Sequence, residues 1–531
     1  MPGETSQGGD SATLATRSPT ASDPAELTVT EAAPAPATGR FERWIRPGVV
    51  VVLLASIALR FIAPSPLWLD EAQTVNIAHR SLHHLFSALR EDGSPPLYYL
   101  LLHAWMAVFG TSTFAVRSLS GIFSVAALPV MYVVSRRFRL VGDSPWAAVL
   151  LLATCPFVVR YGSETRMYSL VLLLVLLAML TYHWVWTDGG LWSNVSAALV
   201  TAALVLTQYW AFFLTAAAVV AIAVAAWRGT RRALLLLVPM AVGWLAFIPW
   251  LSSFAYQNAH TGAPWGTPPG FEVPVLTIGA WVGNGLTAPA LSWAYYLLIV
   301  AALAGYATAS GRISVGRPLR RWPTLVLGLA ILTMAVGTIA SDLTTTSYSP
   351  RYSAIVVGPV LLVIAAGFAA LPAHLRTGAI AVVTVLGLAS AALVPGQLRT
   401  QAGQVATILK AAGPHDLVVF CPDQLGPAVN RIAPHEGTQV VYPNFGSPAM
   451  VDWVDYAKRN ETADPLAFAK TALQRADGQT IWLVYAIGYQ TLAGGCSSLY
   501  ASFTAARGVP IDALNPHSAF EKYSVAEFPA K

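Results

Sequence analysis

Apolar runs recur along most of this chain, at about 47–63, 114–134, 146–160, 167–186, 194–208, 210–227, 233–250, 291–309, 322–340, 353–371 and 377–395. Inside hydrocarbon every backbone N–H and C=O must be paired within its own segment, so runs of this kind are predicted to be membrane-spanning helices, about eleven in all. The stretch 194–227 counts as two spans. As one helix, at ~1.5 Å per residue, it would reach about 50 Å, against a hydrocarbon core of ~30 Å. "TQYW" at 207–210 is the expected turn. Composition points the same way: 55% of the 531 residues are hydrophobic and 11% charged, which sets aside both a soluble globular chain and a nucleic-acid binder.

Residues 1–44 are rich in Pro, Ala, Ser and Thr and cannot bury enough apolar surface to fold, which predicts a disordered cytoplasmic tail. Arg40, Arg43 and Arg46 precede the first run, which therefore reads as an uncleaved anchor with its N-terminus inside. Segment 96–110, "PLYYLLLHAWMAVFG", decides the remaining topology, because it is apolar but marginally short for a crossing. If it lies in the interface, the clusters Arg136/Arg137/Arg139, Arg228/Arg231/Arg232, Arg312/Arg317/Arg320/Arg321 and His374/Arg376 all fall inside. The expectation is a transmembrane domain over 45–396, with residues 65–113 forming an outer loop of juxtamembrane helices. An extracytoplasmic α/β domain is expected over 397–531.

That topology gathers the polar stretches on one face: "LDEA" and "EDGSPP" in the outer loop, "RYGSETRMY" at 160–168, "TQYW", and "TTTSYSPRY" at 344–352. Ionisable residues at membrane depth are costly unless they face a polar cavity, so their convergence marks a site. "SSFAYQNAHTGAPWGTPPG" at 252–270 has the Gly, Pro and aromatic content of a flap over that cavity. His79 and His83 have the i, i+4 spacing of helical metal ligands, and His84 adjoins them; solvated histidines on an interfacial helix show the same pattern, and metal binding is left open.

Taken in order, "LWLDEA", "GSPPLYYLLLHAWMAVFGTSTFAVRSLS" with Arg117, "SETRMY" and "SPRY" resemble a GT-C membrane glycosyltransferase over about 350 residues. The similarity is to the glycosyltransferase family 39 type branch of protein O-mannosyltransferases and aminoarabinose transferases. It implies a GT-C fold in the cytoplasmic membrane and transfer of a sugar from a polyprenyl-phosphate donor to an extracytoplasmic hydroxyl. The acceptor is a protein, a glycolipid or a cell-wall glycan. Mannose is the favoured sugar, with arabinose or another pentose next. No cofactor beyond a candidate divalent metal is implied.

Chemistry explains the residue types. A polyprenyl-phosphate leaving group is already an anion, so it needs cations and no general acid, while the attacking hydroxyl needs one carboxylate base. The resemblance puts that base at Asp70, with Glu71 and Glu164 as further acidic candidates. Arg166 and Arg351 are candidates for the phosphate, Tyr168 and Tyr352 for the phosphate or sugar, and Gln208 and Tyr209 for the cavity wall. Plainer readings stand beside these: a helix start for Asp70 and Glu71, a Glu164–Arg166 ion pair in a turn, and interfacial anchoring by Arg351.

In the C-terminal domain "DLVVF" (416–420) and "TIWLVY" (480–485) read as buried strands, with helices near 399–411, 465–475 and 497–507. Cys421 and Cys496 share this domain, and sequence leaves open whether they pair. The rival class is a lipid-linked-sugar transporter or flippase, for which midplane polar residues and a repeat of spans would be expected. Neither is evident in the sequence.

Overall fold

The computed structural model describes residues 38–138, 145–262, 270, 272–307, 313–315, 321–343, 348–487 and 493–531. Most of the predicted tail, the central part of the predicted flap and residues 344–347 lie outside the described residues. The chain opens with α1 (Thr38–Leu59). Three short helices follow in the predicted juxtamembrane loop: α2 (Leu69–Ala78), α3 (Leu82–Asp92) and α4 (Leu97–Phe109). Then come α5 (Thr113–Phe138), α6 (Trp146–Thr154), α7 (Pro156–Gly162), α8 (Tyr168–Thr187), α9 (Leu191–Val205) and α10 (Trp210–Trp227). The bundle continues with α11 (Leu237–Leu245), α12 (Leu251–His260), α13 (Val273–Val282) and α14 (Ala288–Ala304). A hairpin of β1 (Gly305–Ala307) and β2 (Ile313–Val315) leads to α15 (Arg321–Leu343), α16 (Ala354–Phe368) and α17 (Ala373–Ala391).

Among the described residues six helices are long and apolar enough to cross a membrane, and a bent pair over Arg231–Leu245 and Ile248–His260 would make a seventh. Several of the eleven predicted runs form shorter or broken helices. The run at 146–160 breaks between α6 and α7, where Pro156 has no N–H to carry the ladder on. Arg60, fully buried just past α1, compensates. Its guanidinium donates to the freed carbonyls of Leu152 (3.1 Å) and Ala153 (3.1 Å), to Ser56 O (2.6 Å) and to Ser124 Oγ (2.8 Å). A cation at a helix C-terminus is electrostatically favoured, and here four of the five N–H donors are used. The predicted flap is helical over its first part, as α12, and α13 follows it, because the apolar run 273–282 outlasts the Gly/Pro-rich stretch before it.

α16 is the axis of the bundle, buried on all sides and packed against α8, α14 and α15. Gly367 lets it approach α14 so closely that a Cβ there would overlap the Leu298 carbonyl, the small-residue contact typical of membrane helices. One end of the bundle carries the exposed indoles Trp184, Trp192 and Trp227, with Arg136, Arg137, Arg228 and Arg231 on the same ends of α5 and α10 and the turn after α10. Aromatic rings beside arginines at helix ends mark a membrane–water boundary. The polar stretches lie at the opposite end.

Beyond the bundle, α18 (Ala402–Leu409) leads into β3 (Leu417–Cys421), α19 (Gly426–Ile432), β4 (Thr438–Val441), α20 (Tyr456–Glu461), α21 (Pro465–Ala476), β5 (Ile481–Tyr485), α22 (Ala493–Arg507), β6 (Ile511–Leu514) and β7 (Ser524–Phe528). The sheet runs β4-β3-β5-β7-β6, with β4, β3 and β5 parallel and β7 antiparallel to β5. β3 and β5 are buried along their whole length, as central parallel strands are, which is why their continuous apolar runs were legible. Cys421 at the end of β3 is disulfide-bonded to Cys496 in α22.

Candidate active site

α2 begins with two acidic residues in its first turn, where the helix dipole favours negative charge. Adjacent helical residues point about 100° apart, so the two carboxylates face different surroundings.

Glu71 faces inward and has no solvent exposure. Arg117 on α5 grips it bidentately, Nε to Oε1 at 2.8 Å and Nη2 to Oε2 at 2.5 Å. The Thr165 amide donates to Oε1 at 2.9 Å, and Arg399 Nη1 lies 3.7 Å from the same oxygen. Burial pushes this carboxyl up, but Arg117, Arg399 and the Thr165 amide outweigh it and hold the group near about 2. Arg117 spends its other donors on the carbonyls of Ala63, Ser65 and Pro66, and Arg399 bonds Ser163 O and Oγ at 2.6 Å each. One carboxylate thus knots together α2, α5, the turn after α7 and the strand of chain leaving the bundle.

Asp70 is only partly buried and keeps 18% side-chain exposure. Arg351 Nη1, from the 3₁₀ turn Pro350–Ser353 before α16, donates to its Oδ2 at 2.7 Å. Arg166 Nη2 stands 3.9 Å from the same oxygen while its Nη1 donates to Thr74 Oγ1 at 2.8 Å and Tyr99 OH at 3.4 Å. Tyr352 stacks on Trp210, with ring centroids 5.5 Å apart, and Tyr168 is buried edge-on to Tyr161 at 4.7 Å. The Arg351 guanidinium lies over the rings of Trp68 and Tyr352. Asp70, Arg166, and the adjacent Arg351 and Tyr352 are therefore brought together from three separate segments.

The other sequence-derived candidates fall into place around this group. Glu164 pairs with Arg160, one turn back along α7, at 2.8 Å, and not with Arg166, the partner in one of the readings the sequence left open. The turn that follows Gly162 carries Arg166 away toward α2 and leaves Glu164 over the helix it has just left. Tyr209 donates to Gln257 Oε1 and accepts from Trp250 Nε1 at 2.9 Å, so its hydroxyl serves the packing of α10 against α12. Gln208, buried in the same turn, has no hydrogen-bond partner for either amide atom among the described residues.

Asp92 was not singled out in the sequence, although "EDGSPP" was noted as a polar stretch. It accepts from Gln73 Nε2 (3.1 Å), Ser94 Oγ (3.0 Å) and Tyr99 OH (3.2 Å), and Tyr99 links it to Arg166. Burial pushes its carboxyl up against the pull of Arg166 and these donors.

Several buried donors at this place lack partners among the described residues: Arg166 Nε, Arg351 Nε and Tyr168 OH. Leaving a buried donor unpaired costs about 1–3 kcal/mol each, more for a charged one. A ligand rich in acceptor oxygens would repay that cost. A divalent cation fits this donor set poorly, because the exposed carboxylate already carries two guanidiniums and among the described residues no three His, Cys, Asp or Glu side chains converge. His84 bonds Ser81, and His83 packs edge-on against it.

No protein-family model and no curated protein sequence matches the chain. Solved structures do. That of ArnT from Cupriavidus metallidurans bound to undecaprenyl phosphate covers 93% of this chain and 99% of its own, at 15% identity and a TM-score of 0.51. The same protein in the apo state covers 93% and 98%, at 14% identity and a TM-score of 0.55. The Archaeoglobus fulgidus oligosaccharyltransferase, in complex with Zn and sulfate, covers 86% of this chain and 69% of its own at 13% identity, with a TM-score of 0.46. With near-complete coverage in both directions against ArnT, the chain has the fold of the GT-C membrane glycosyltransferases.

Proposed function

We propose that this protein is an inverting glycosyltransferase that moves a sugar from a polyprenyl phosphate to an acceptor hydroxyl, with Asp70 as the general base. The observation that carries the reading is Asp70 itself. It is a partly exposed carboxylate held by Arg351 and Arg166, two cations whose Nε donors are buried and unpartnered.

A phosphate monoester or diester satisfies guanidinium forks bidentately. Entry of the donor phosphate would draw Arg351 and Arg166 onto its oxygens and release the Oδ2 lone pairs of Asp70, so that the base is uncovered only when the leaving group is in place. The carboxylate then accepts the proton of the acceptor hydroxyl as its oxygen attacks the anomeric carbon. The anomeric C–O bond breaks on the opposite side, and its electron pair leaves on the phosphate held by the arginines. Attack opposite the leaving group inverts the anomeric centre. Glu71, saturated by protein donors, holds α2 in place and Glu164 holds α7; Tyr168 and Gln208 present free polar atoms to donor or sugar.

An apolar pocket of about 260 Å³, bounded by Met179, Tyr182, Leu214, Met240, Leu329 and Val356, offers room for part of a polyprenyl chain. The undecaprenyl phosphate in the ArnT complex supports the choice of donor class. Mannose is the preferred sugar and arabinose the alternative, by the resemblance of the motifs. With the Arg/Trp end of the bundle on the cytoplasmic side, the site and the C-terminal domain face outward from the cytoplasmic membrane.

The test is transfer of radiolabelled sugar from mannosyl- and arabinosyl-phosphoryl polyprenols by purified wild type and Asp70→Asn. Loss of transfer by at least about 100-fold with donor binding kept supports the reading. Equal activity in the two proteins removes Asp70 as base, and lipid-linked sugar crossing vesicles without transfer would favour a flippase.

A further inference from the structure

We infer that Glu521, delivered by the C-terminal domain, is a positioning residue for the base Asp70; the inference rests on the glycosyltransferase reading above. α2 lacks a side-chain cap of its own, since Trp68 occupies the N-cap position and makes no such bond. The amide of Leu69, next to Asp70, donates instead to Glu521 Oε1 at 3.3 Å, across 452 residues of sequence. A side-chain acceptor at this position satisfies one of the amides that a helix start leaves unpaired. Here the cap also fixes the orientation of the turn that aims Asp70.

The strap bearing Glu521 is itself secured. Glu521 N–H donates to Arg399 O at 2.9 Å, Gln401 N–H to Glu521 O at 3.2 Å, and Phe520 N–H to Leu398 O at 3.2 Å. The Phe520 ring packs edge-on against Trp68, with centroids 5.1 Å apart. The same rung carries Arg399, whose side chain reaches Glu71 and Ser163. One pairing of strap and rung therefore grips both the helix of Asp70 and the turn of Arg166. Two further bonds add to the grip: Val451 exchanges hydrogen bonds with the Gln73 side chain at 2.9 and 3.0 Å, and Asn76 Nδ2 donates to Ala449 O at 2.7 Å.

Glu521 is 3% exposed and has no cationic partner among the described residues. Around it stand the Leu69 amide, the hydroxyls of Thr400 and Tyr523, and Asp70. The Arg399 guanidinium is turned to Ser163 and Glu71, and Lys522 is exposed. Burial pushes the Glu521 carboxyl up to about 8, with Asp70 adding to the rise and the three donors opposing it. That rise favours the uncharged carboxyl as the acceptor of the Leu69 amide. Ionised, it would set a second negative charge beside Asp70 and oppose the anionic donor.

The experiment uses the full-length protein, comparing wild type, Glu521→Gln and Glu521→Ala. The first readout is kcat at saturating donor from pH 6.5 to 9.5. Wild type is expected to lose roughly tenfold between pH 7 and pH 9, as the neutral fraction falls. Glutamine can accept the Leu69 amide but cannot ionise, so the ratio of kcat at the two pH values should stay within about threefold of unity. Alanine should lower kcat at pH 7 with donor KM little changed. The second readout needs no activity: hydrogen exchange at pH 7 of the amides in residues 69–74, expected to speed up at least tenfold in Glu521→Ala. Parallel pH profiles for wild type and Glu521→Gln, or unchanged exchange in Glu521→Ala, would overturn the inference. No transfer by wild type together with faster exchange in the variant would sink the glycosyltransferase reading alone.

Discussion

Replacing Arg117 with alanine should be among the most damaging single changes in the chain. Glu71 is fully buried and its carboxyl is held near about 2 against an ordinary 4.5, so the folded state favours the ionised form by about 3 kcal/mol. Arg117 supplies the larger part of that stabilisation through two of the three hydrogen bonds that reach Glu71. Without it the buried carboxylate retains the Thr165 amide and Arg399 at 3.7 Å, and burial pushes the carboxyl up. The expected loss is about 3–5 kcal/mol, the range for breaking one partner of a buried pair. Glu71→Gln should cost less, about 1–3 kcal/mol, because its carbonyl oxygen can still accept from Thr165. Unfolding by sodium dodecyl sulfate in mixed micelles, followed by tryptophan fluorescence, gives each loss, and the double variant gives the coupling. Because the folded carboxyl is depressed, the stabilisation is complete above pH 4.5 and disappears as pH falls from there toward 2. A loss below 1 kcal/mol for Arg117→Ala, or additive losses in the double variant, would refute this account.

Two further predictions concern other parts of the molecule. Arg351→Ala should raise donor KM by about 10- to 100-fold, the worth of a charge-assisted bond of 1.5–3 kcal/mol, and Arg351→Lys should recover only part of it because the planar fork is lost; steady-state kinetics with a synthetic polyprenyl-phosphate sugar decides. Thiol labelling with a polyethylene-glycol maleimide after unfolding should add one label without reductant, at Cys155, and three with it, and two or more without reductant would contradict the Cys421–Cys496 bond.

How far the sequence reached depended on how far apart the interacting residues lie. "LWLDEA" placed the acidic pair at the start of a juxtamembrane helix, and the helix is there. Which carboxylate stays partly exposed is set by a rotation of about 100° and by an arginine 281 residues away, and neither is written locally. The i, i+4 spacing of Arg160 and Glu164 was available to be read, and helix geometry favours it over Glu164–Arg166, two residues apart. β3 and β5 were legible as unbroken apolar runs, whereas the edge strands β4 and β6 carry mixed patterns. Arg60 falls inside the first predicted run, 47–63, and was not singled out there. Its role appears only once the break at Cys155–Pro156, nearly a hundred residues on, is set beside it. For Glu521 no local pattern exists, since its meaning lies wholly in the Leu69 amide.

The distance in sequence between Leu69 and Glu521 also bears on how the protein is made. Synthesis runs from the N-terminus, so Asp70, Arg166 and Arg351 have all left the ribosome long before the strap that caps the helix of Asp70. A nascent chain, or one released by a premature stop between residues 352 and 521, holds Asp70, Arg166 and Arg351 and still lacks the contact that aims the first of them. The strap that carries Glu521 then serves as a completion mark, and a half-built copy works below the rate of the finished protein while its membrane helices are being inserted.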